Sequence, residues 1–221
     1  MWTILNVLAY TGLFCAADAL LQRLKLEGVY YALHAVHNAL IVATTAPEVW
    51  FTFTDFFYAM RAAPNLYALQ ICYALHFYHV ICYWRKFRFD DYLHHILMIG
   101  VALPIGGLLP SGTLLGFSLF FTTGLPGGID YFLLFLTRNG WLDRDVEKRV
   151  NARLNVWVRA PGCIANAVYT AAYLSLQPAL YGAINYELFF YGACATAALN
   201  FWNGLYFMQQ VVVDAAKRNL I

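Results

Sequence analysis

Six histidines are the residues of this chain whose type and spacing could support chemistry. They form two HxxH pairs and one adjacent pair in three consecutive hydrophobic stretches: His34 and His37, His76 and His79, and His94 and His95. Imidazole titrates near neutral pH, so it can serve as a base, as a transient acyl acceptor or as a metal ligand. The grouping predicts that these side chains share one site.

Two aspartates could orient such an imidazole. Asp91 lies one helical turn before His94, and Asp130 lies inside a later hydrophobic stretch. A carboxylate inside a bilayer costs several kcal/mol unless it is paired, protonated or placed in a wet cavity. We therefore expect one polar cavity between the helices, lined by Asp130, by His79 and by His94 or His95.

The composition indicates where this cavity must lie. The chain of 221 residues is 62% hydrophobic and 12% charged, with a mean hydropathy of +0.57. Soluble domains carry about 25% charged residues, so the sequence predicts an all-α, polytopic membrane protein with one domain over residues 1–221. The formal net charge of +2 excludes a nucleic-acid binder that depends on bulk basicity.

Seven hydrophobic passages are expected to form one bundle or barrel around the cavity. They lie near residues 2–21, 28–53, 65–84, 92–110, 112–137, 154–177 and 184–213. The first has no basic residue before its hydrophobic run, so we expect a membrane span and not a secretory signal. The fifth contains GLPGG at 124–128, which predicts one broken or kinked helix.

Positive charges favour one orientation of these spans. Of the 14 lysines and arginines, Arg61 lies on the side of the predicted N-terminus, and Arg159 lies a turn inside the sixth span. The others lie on the opposite side: Arg23, Lys25, Arg85, Lys86, Arg88, Arg138, Arg144, Lys148, Arg149, Arg153, Lys217 and Arg218. The positive-inside rule therefore predicts an outside or lumenal N-terminus and a C-terminus in the cytosol, matrix or stroma. We expect the endoplasmic reticulum or another organelle membrane.

Metal binding and simple packing are alternative roles for the histidines. HxxH and HH resemble fragments of the histidine boxes of membrane di-iron desaturases and hydroxylases, but no HxxHH motif is present. Haem would need one well-placed pair on facing helices. For His34 and His37, hydrogen-bonded packing is the alternative to a role in a pocket. We predict no metal and no other cofactor.

Two further features predict local structure without a site. The five cysteines have no CxxC spacing and are expected to be buried thiols. The mixed-charge run at 142–149 is expected to form a solvated turn of helix.

Residues 89–97, FDDYLHHIL, follow a basic loop and resemble the D-x-x-x-H-H signature of the TLC-domain family, which includes ceramide synthases and translocating-chain-associated membrane proteins. Residues 30–35, YYALHA, are similar to the family's early helix. Residues 198–206, ALNFWNGLY, are similar to its closing LN-x-x-W segment. In the family's order, these stretches cover roughly residues 28–210.

The resemblance implies a helical barrel around an intramembrane cavity that admits a lipid chain. In ceramide synthases, the histidine pair and a later acidic pair serve transfer of an acyl group from coenzyme A to a sphingoid base. His94 and His95 match the histidine pair. The expected place of the acidic pair holds FFTT at 120–123, and the nearest acid is Asp130.

The leading functional hypothesis is a non-catalytic protein of lipid binding or lipid homeostasis, whose partner is the acyl chain of a membrane lipid. The expected lining of its pocket comprises His34, His76, His79 and Asp91.

Two other classes of function stay open. One is an acyl-CoA-dependent N-acyltransferase of the ceramide-synthase type, with His94 or His95 as base or acyl acceptor and Asp130 as the orienting group. The other is a structural accessory subunit of a large membrane complex, for example in an energy-transducing membrane, with other membrane subunits as partners.

The span count can be tested by cysteine accessibility. Arg61→Cys and Lys148→Cys are expected to react with an impermeant thiol reagent from opposite faces of the membrane, because three spans, the third, fourth and fifth, separate them. Labelling in intact and permeabilised vesicles measures this. Reaction of both variants from one face would refute the predicted topology.

Overall fold

The computed structural model describes residues 2–109, 111–176 and 186–221. The protein is all-α and 88% helical, with no strand in these described ranges. The helices are α1 (Trp2–Arg23), α2 (Val29–Thr54), α3 (Phe56–Arg61), α4 (Leu66–Tyr83), α5 (Phe89–Leu97), α6 (Leu103–Leu108), α7 (Leu114–Leu119), α8 (Leu125–Arg138), α9 (Arg144–Leu154), α10 (Ala160–Leu176) and α11 (Tyr186–Lys217).

Three π-helical turns join consecutive helices into longer paths. Met98–Ala102 joins α5 to α6, Phe120–Gly124 joins α7 to α8, and Asn155–Arg159 joins α9 to α10. In the first, the N–H of Leu103 donates to the carbonyl of Met98. The fifth hydrophobic passage, in which a break was expected at GLPGG (124–128), is a continuous helical path. Its π turn, Phe120–Gly124, ends where GLPGG begins, and Leu125 to Gly128 form the first turn of α8.

Within the residues that the structure describes, three helical paths are long and apolar enough to cross a membrane: Ile4–Arg23, Asp91–Leu108 and Leu114–Arg138. The all-α prediction is confirmed, whereas seven crossings stay a prediction. The polar side chains on α2 and α4, which include four of the histidines, lower the mean hydropathy of these two helices. The predicted connection between the sixth and seventh passages, at 178–183, lies outside the described residues.

Six helical paths close a ring. Helix α2 packs on α4, α4 on α6, α6 on α11, α11 on α10, and α10 on α7, while α7 and α8 pack back on α2. Helix α1 lies outside this ring against α4 and α2. The ring leaves an interior space toward which α2, α4 and α5 can present their histidines.

The wall of the ring is held by apolar packing between adjacent helices. Ile41 and Leu69 join α2 to α4, and Leu119 joins them to α7. Phe14 of α1 packs against Tyr78 of α4 with ring centroids 5.9 Å apart. The outer surface is also apolar, so this packing acts through close contact rather than through exclusion of water.

One glycine is required by the turn before α7. Gly112 has φ +55°, and a Cβ at this position would lie 2.2 Å from the carbonyl oxygen of Ala59. The next residue, Thr113, donates its N–H to that carbonyl at 2.9 Å and contacts Thr52 through hydroxyl groups 2.7 Å apart. This turn fixes α7 against α2 and α3.

A buried carboxylate ties α1 to α4. Asp18 is 5% exposed and accepts hydrogen bonds from the hydroxyl groups of Tyr78 at 2.8 Å and Tyr83 at 2.6 Å. The side-chain amide of Gln22 donates to its other oxygen. These donors compensate for the cost of burying the carboxylate.

The cysteines correct one expectation. Cys72 and Cys163 are buried, but Cys82 and Cys194 are exposed and Cys15 is half-buried. The prediction of five buried thiols was wrong because an apolar stretch need not face the protein interior when the outer surface is itself apolar.

Gly162 provides a test of the packing between α10 and the π turn Phe120–Gly124. A Cβ at Gly162 would lie 2.2 Å from ring atoms of Phe121. We expect Gly162→Ala to lower the free energy of unfolding by about 1–3 kcal/mol through overpacking, as thermal unfolding in detergent would measure.

The matched control is Gly12→Ala in α1, where an added Cβ meets nothing within 4 Å. Because alanine favours a helix, this variant is expected to be at least as stable as the parent. Equal stability of the Gly162→Ala and Gly12→Ala variants would contradict the close approach at Phe121.

Candidate functional site

A cavity of about 680 Å³ lies inside the ring. All six histidines line it, together with Asp91 and Asp130. Apolar side chains of α6, α7 and α11, among them Leu103, Leu115 and Phe189, line much of the remainder. A volume of this size is typical of small-molecule sites, which span roughly 300–1,000 Å³. The cavity is amphipathic.

Two histidine–histidine contacts connect α4 to α5. The Nε2 atoms of His76 and His94 lie 3.3 Å apart, and Nδ1 of His79 lies 3.2 Å from Nε2 of His95. The HxxH spacing places His76 and His79 on one face of α4, since residues three apart are neighbours on a helix. The adjacent pair on α5 supplies one partner to each.

Backbone carbonyls determine which ring nitrogen of three histidines carries the proton. Nδ1 of His34, His76 and His95 lies 2.7 Å from the carbonyl oxygen four residues earlier on its own helix. A carbonyl only accepts, so each Nδ1 must donate, and in the neutral ring Nε2 then keeps a lone pair. His76 and His95 therefore accept from His94 and His79.

The ring of His34 lies in a stack of aromatic side chains. It lies 4.3 Å from the ring of His79 at an interplanar angle of 16°. Tyr30 and Tyr131 lie 4.1 and 4.2 Å from it, measured between ring centroids. These contacts hold the imidazole of His34 between α4 and α8.

The imidazole of His37 is held by the side-chain amide of Asn38. Its Nδ1 lies 2.7 Å from Oδ1 of Asn38, which also accepts from the hydroxyl of Thr123 at 2.9 Å. His37 is 1% exposed, and its Nε2 has no hydrogen-bond partner among the described residues. The same holds for Nε2 of His79.

Asp130 and Arg159 line another part of the cavity. Arg159 donates from Nη1 to Oδ1 of Asn155 at 3.2 Å, and Asn155 donates in turn to the side chain of Asn151. Oδ1 of Asp130 and Nε of Arg159 have no hydrogen-bond partner in the described structure. The two side chains interact electrostatically.

Glu147 corrects the interpretation of the mixed-charge run. The run begins α9, but Glu147 is 0% exposed, with Nζ of Lys148 3.5 Å from one of its carboxylate oxygens. Lys148 also pairs with Asp214 of α11 at 3.5 Å. The prediction of a solvated turn was wrong for this residue because α9 packs against α8 and α11.

A series of hydrogen bonds between neutral polar groups joins helices α7, α11 and α10. Ser118 of α7 donates to Asn200 of α11 at 3.0 Å, and Asn200 donates to Asn166 of α10 at 2.8 Å. Asn166 donates to the carbonyl of Leu114 at 3.1 Å. These side chains line the cavity, and their hydrogen bonds join three of its walls.

The structure brings every sequence-predicted site residue to the cavity wall: His34, His76, His79, Asp91, His94, His95 and Asp130. Asp91 also caps α5, because its carboxylate accepts from the N–H of Arg88 at 2.8 Å. The hydrogen-bond contacts of His94 and His95 are with other histidines and a backbone carbonyl. The roles assigned to these residues stay predictions.

Sequence reasoning missed several polar residues that the fold buries. Asp18, Glu48 and Glu147 are all at most 9% exposed. Asp18 and Glu48 each carry a carboxylate within a hydrophobic passage, which is the signal that could have identified them. Glu147 lies in a charged run, where the sequence gives no such signal.

The histidines meet in pairs. Within the described residues, no group of three or more His, Cys, Asp or Glu side chains converges in a geometry that could hold a metal ion.

These features define a class of protein: an all-helical chain with membrane-compatible helices and a histidine-lined interior cavity. Comparison with protein-family models, with curated proteins and with solved structures gives no match.

Proposed function

We propose that this protein is a multi-pass membrane protein whose interior cavity holds a lipid, and that it is a compact relative of the TLC-domain family. The observation that carries the proposal is the amphipathic cavity of about 680 Å³ inside a ring of helices. A lipid is amphipathic as well. Its chain suits the leucine-rich wall, formed by α6, α7 and α11, and its head group suits the histidine-rich wall, formed by α2, α4 and α5. The ring also agrees with the barrel that the family resemblance implies.

The topology proposal extends the three helices that are long and apolar enough to cross a membrane. We propose seven crossings, with the N-terminus outside or lumenal and the C-terminus on the positive side. The histidine-rich end of the cavity then opens toward the basic loops, because Arg85, Lys86 and Arg88 lie between the two helices that carry the histidine contacts. The membrane of an organelle stays the expected location.

We propose that the protein does not catalyse acyl transfer. The observation that favours the N-acyltransferase alternative is that His94 and His95 both line the cavity. A base in such a reaction needs a partner that stabilises its positive charge when it takes a proton. His94 contacts His76, and His95 contacts His79 and the Asp91 carbonyl, so neither has a carboxylate as hydrogen-bond partner. The accessory-subunit hypothesis makes no use of the cavity and stays a prediction.

Lipid retention tests the proposed function. We expect Ala102→Phe to reduce lipid retained by the purified protein several-fold, because Ala102 lines the cavity and a phenyl group would occupy part of it. Mass spectrometry of lipid that remains after detergent purification measures this.

The control is Ala39→Phe, which adds the same side chain on the exposed face of α2 and is expected to keep the parental amount. Retention unchanged by Ala102→Phe, in a variant that remains folded, would mean that the bound lipid is only peripheral.

Catalysis is tested directly with an acyl-CoA and a sphingoid base. We expect no amide product from the purified protein. We expect His94→Ala and His95→Ala to lower stability by about 1 kcal/mol each through loss of a hydrogen bond between histidines. Amide formation that requires the acyl-CoA, and that disappears in either folded variant, would establish the enzyme instead.

A further inference from the structure

The histidine-lined end of the cavity contains a hydrogen-bond acceptor, Nε2 of His79, that has no donor in the described structure. His95 donates from Nδ1 to the Asp91 carbonyl, so its Nε2 can only accept in the neutral ring. His79 must then donate from Nδ1 across the 3.2 Å contact. This leaves Nε2 of neutral His79 with a lone pair, although the atom is buried and has no partner in the described structure.

His37 also donates from Nδ1 and leaves Nε2 without a partner in the described structure, but its acceptor is Asn38. Its Nδ1 faces Oδ1 of Asn38, an oxygen that only accepts, so in the neutral ring Nε2 keeps a lone pair. The residue lines the same cavity and is 1% exposed. Two buried imidazoles on different helices therefore present acceptors without donors.

A buried acceptor without a donor is costly, so a ligand that supplies a donor gains by binding here. A carboxylate or phosphate diester has no proton to donate, so its oxygen lone pairs would face the imidazole lone pair and form no hydrogen bond. A hydroxyl group donates one hydrogen bond and carries no charge into the interior.

An ammonium head group is less suitable than a hydroxyl. It would need a carboxylate to offset its burial. The carboxylate nearest in sequence to the histidine pair, Asp91, already accepts from the Arg88 N–H and lies 3.9 Å from the Arg88 guanidinium. The other cavity carboxylate, Asp130, already interacts electrostatically with the cation of Arg159. The described contacts of His79 and His37 include no acid.

We propose that the cavity selects an uncharged lipid alcohol, whose hydroxyl donates to Nε2 of His79 while its apolar body lies against the leucine-rich wall. This inference rests on the proposed function and adds the chemistry of the head group. His37 offers the second acceptor on the same wall.

The experiment uses three photoactivatable, alkyne-tagged probes with the same chain: a long-chain alcohol, the corresponding fatty acid and the corresponding primary amine. Each is crosslinked to the purified full-length protein in detergent, and labelled peptides are identified by mass spectrometry. We expect the alcohol to label peptides of the cavity wall at least about fivefold more than the acid, as one hydrogen bond of about 1 kcal/mol predicts. The amine is expected to label weakly.

Two variants connect the result to His79. His79→Phe keeps a flat ring in the stack with His34 but removes the acceptor, so alcohol labelling should fall to the level of the acid. His79→Gln can place a carbonyl oxygen near the position of Nε2 and should restore part of the labelling. Retention of labelling in a folded His79→Phe variant would overturn the proposal.

The remaining outcomes separate this inference from the proposed function. Equal or stronger cavity labelling by the acid or amine would overturn the selection of an alcohol while leaving lipid binding intact. Stoichiometric zinc or iron in the purified protein that is lost in His79→Phe would assign the lone pair to a metal and overturn it as well. Labelling confined to the outer surface with all three probes would overturn both proposals.

Discussion

Polar side chains inside this ring depend on partners within the protein, because an apolar surrounding offers them none. The histidines meet this constraint through their own helices: His34, His76 and His95 each donate to the carbonyl four residues earlier. That carbonyl already accepts within the helix, and its second lone pair is available to the imidazole. The bond orients each ring and leaves Nε2 directed away from the backbone. The character of the cavity therefore begins with helix geometry.

The same constraint explains how the walls of the ring stay together. Asp18 joins α1 to α4 through two tyrosine hydroxyls, and Asn200 joins α7 to α10 through its amide. Hydrogen bonds of this kind hold apolar helices in one arrangement where apolar contact alone favours many. Small residues then permit close approach, as at Gly204, where a Cβ would lie 2.7 Å from the Cβ of Cys163.

The sequence was sufficient to predict the all-α fold and the lining of one cavity by the histidines. These features depend on hydrophobic length and on the three-residue spacing of HxxH. The sequence was insufficient to predict which helix faces line the cavity after a π turn, because a π turn changes the helical period. Each π turn inserts a residue into the 3.6-residue repeat and rotates the next helix about its axis, so the faces of α6, α8 and α10 could not be extrapolated from the helices before them. Glu147 was missed for a related reason, since its neighbours in sequence are charged and its burial arises from packing of α9 on α8 and α11.

The direction of the histidine contacts bears on what the cavity can do. A proton taken up at Nε2 of His79 could pass to His95, but His95 already donates to the carbonyl of Asp91. A carbonyl is neutral and cannot become a proton store, whereas a carboxylate in that position would stabilise the charged ring. In the other contact, His94 donates to His76, and His76 donates in turn to the neutral carbonyl of Cys72. Both hydrogen-bonded series hold imidazoles in place, and each ends at a neutral carbonyl and not at a carboxylate. The arrangement therefore favours recognition of a neutral donor over acid–base catalysis.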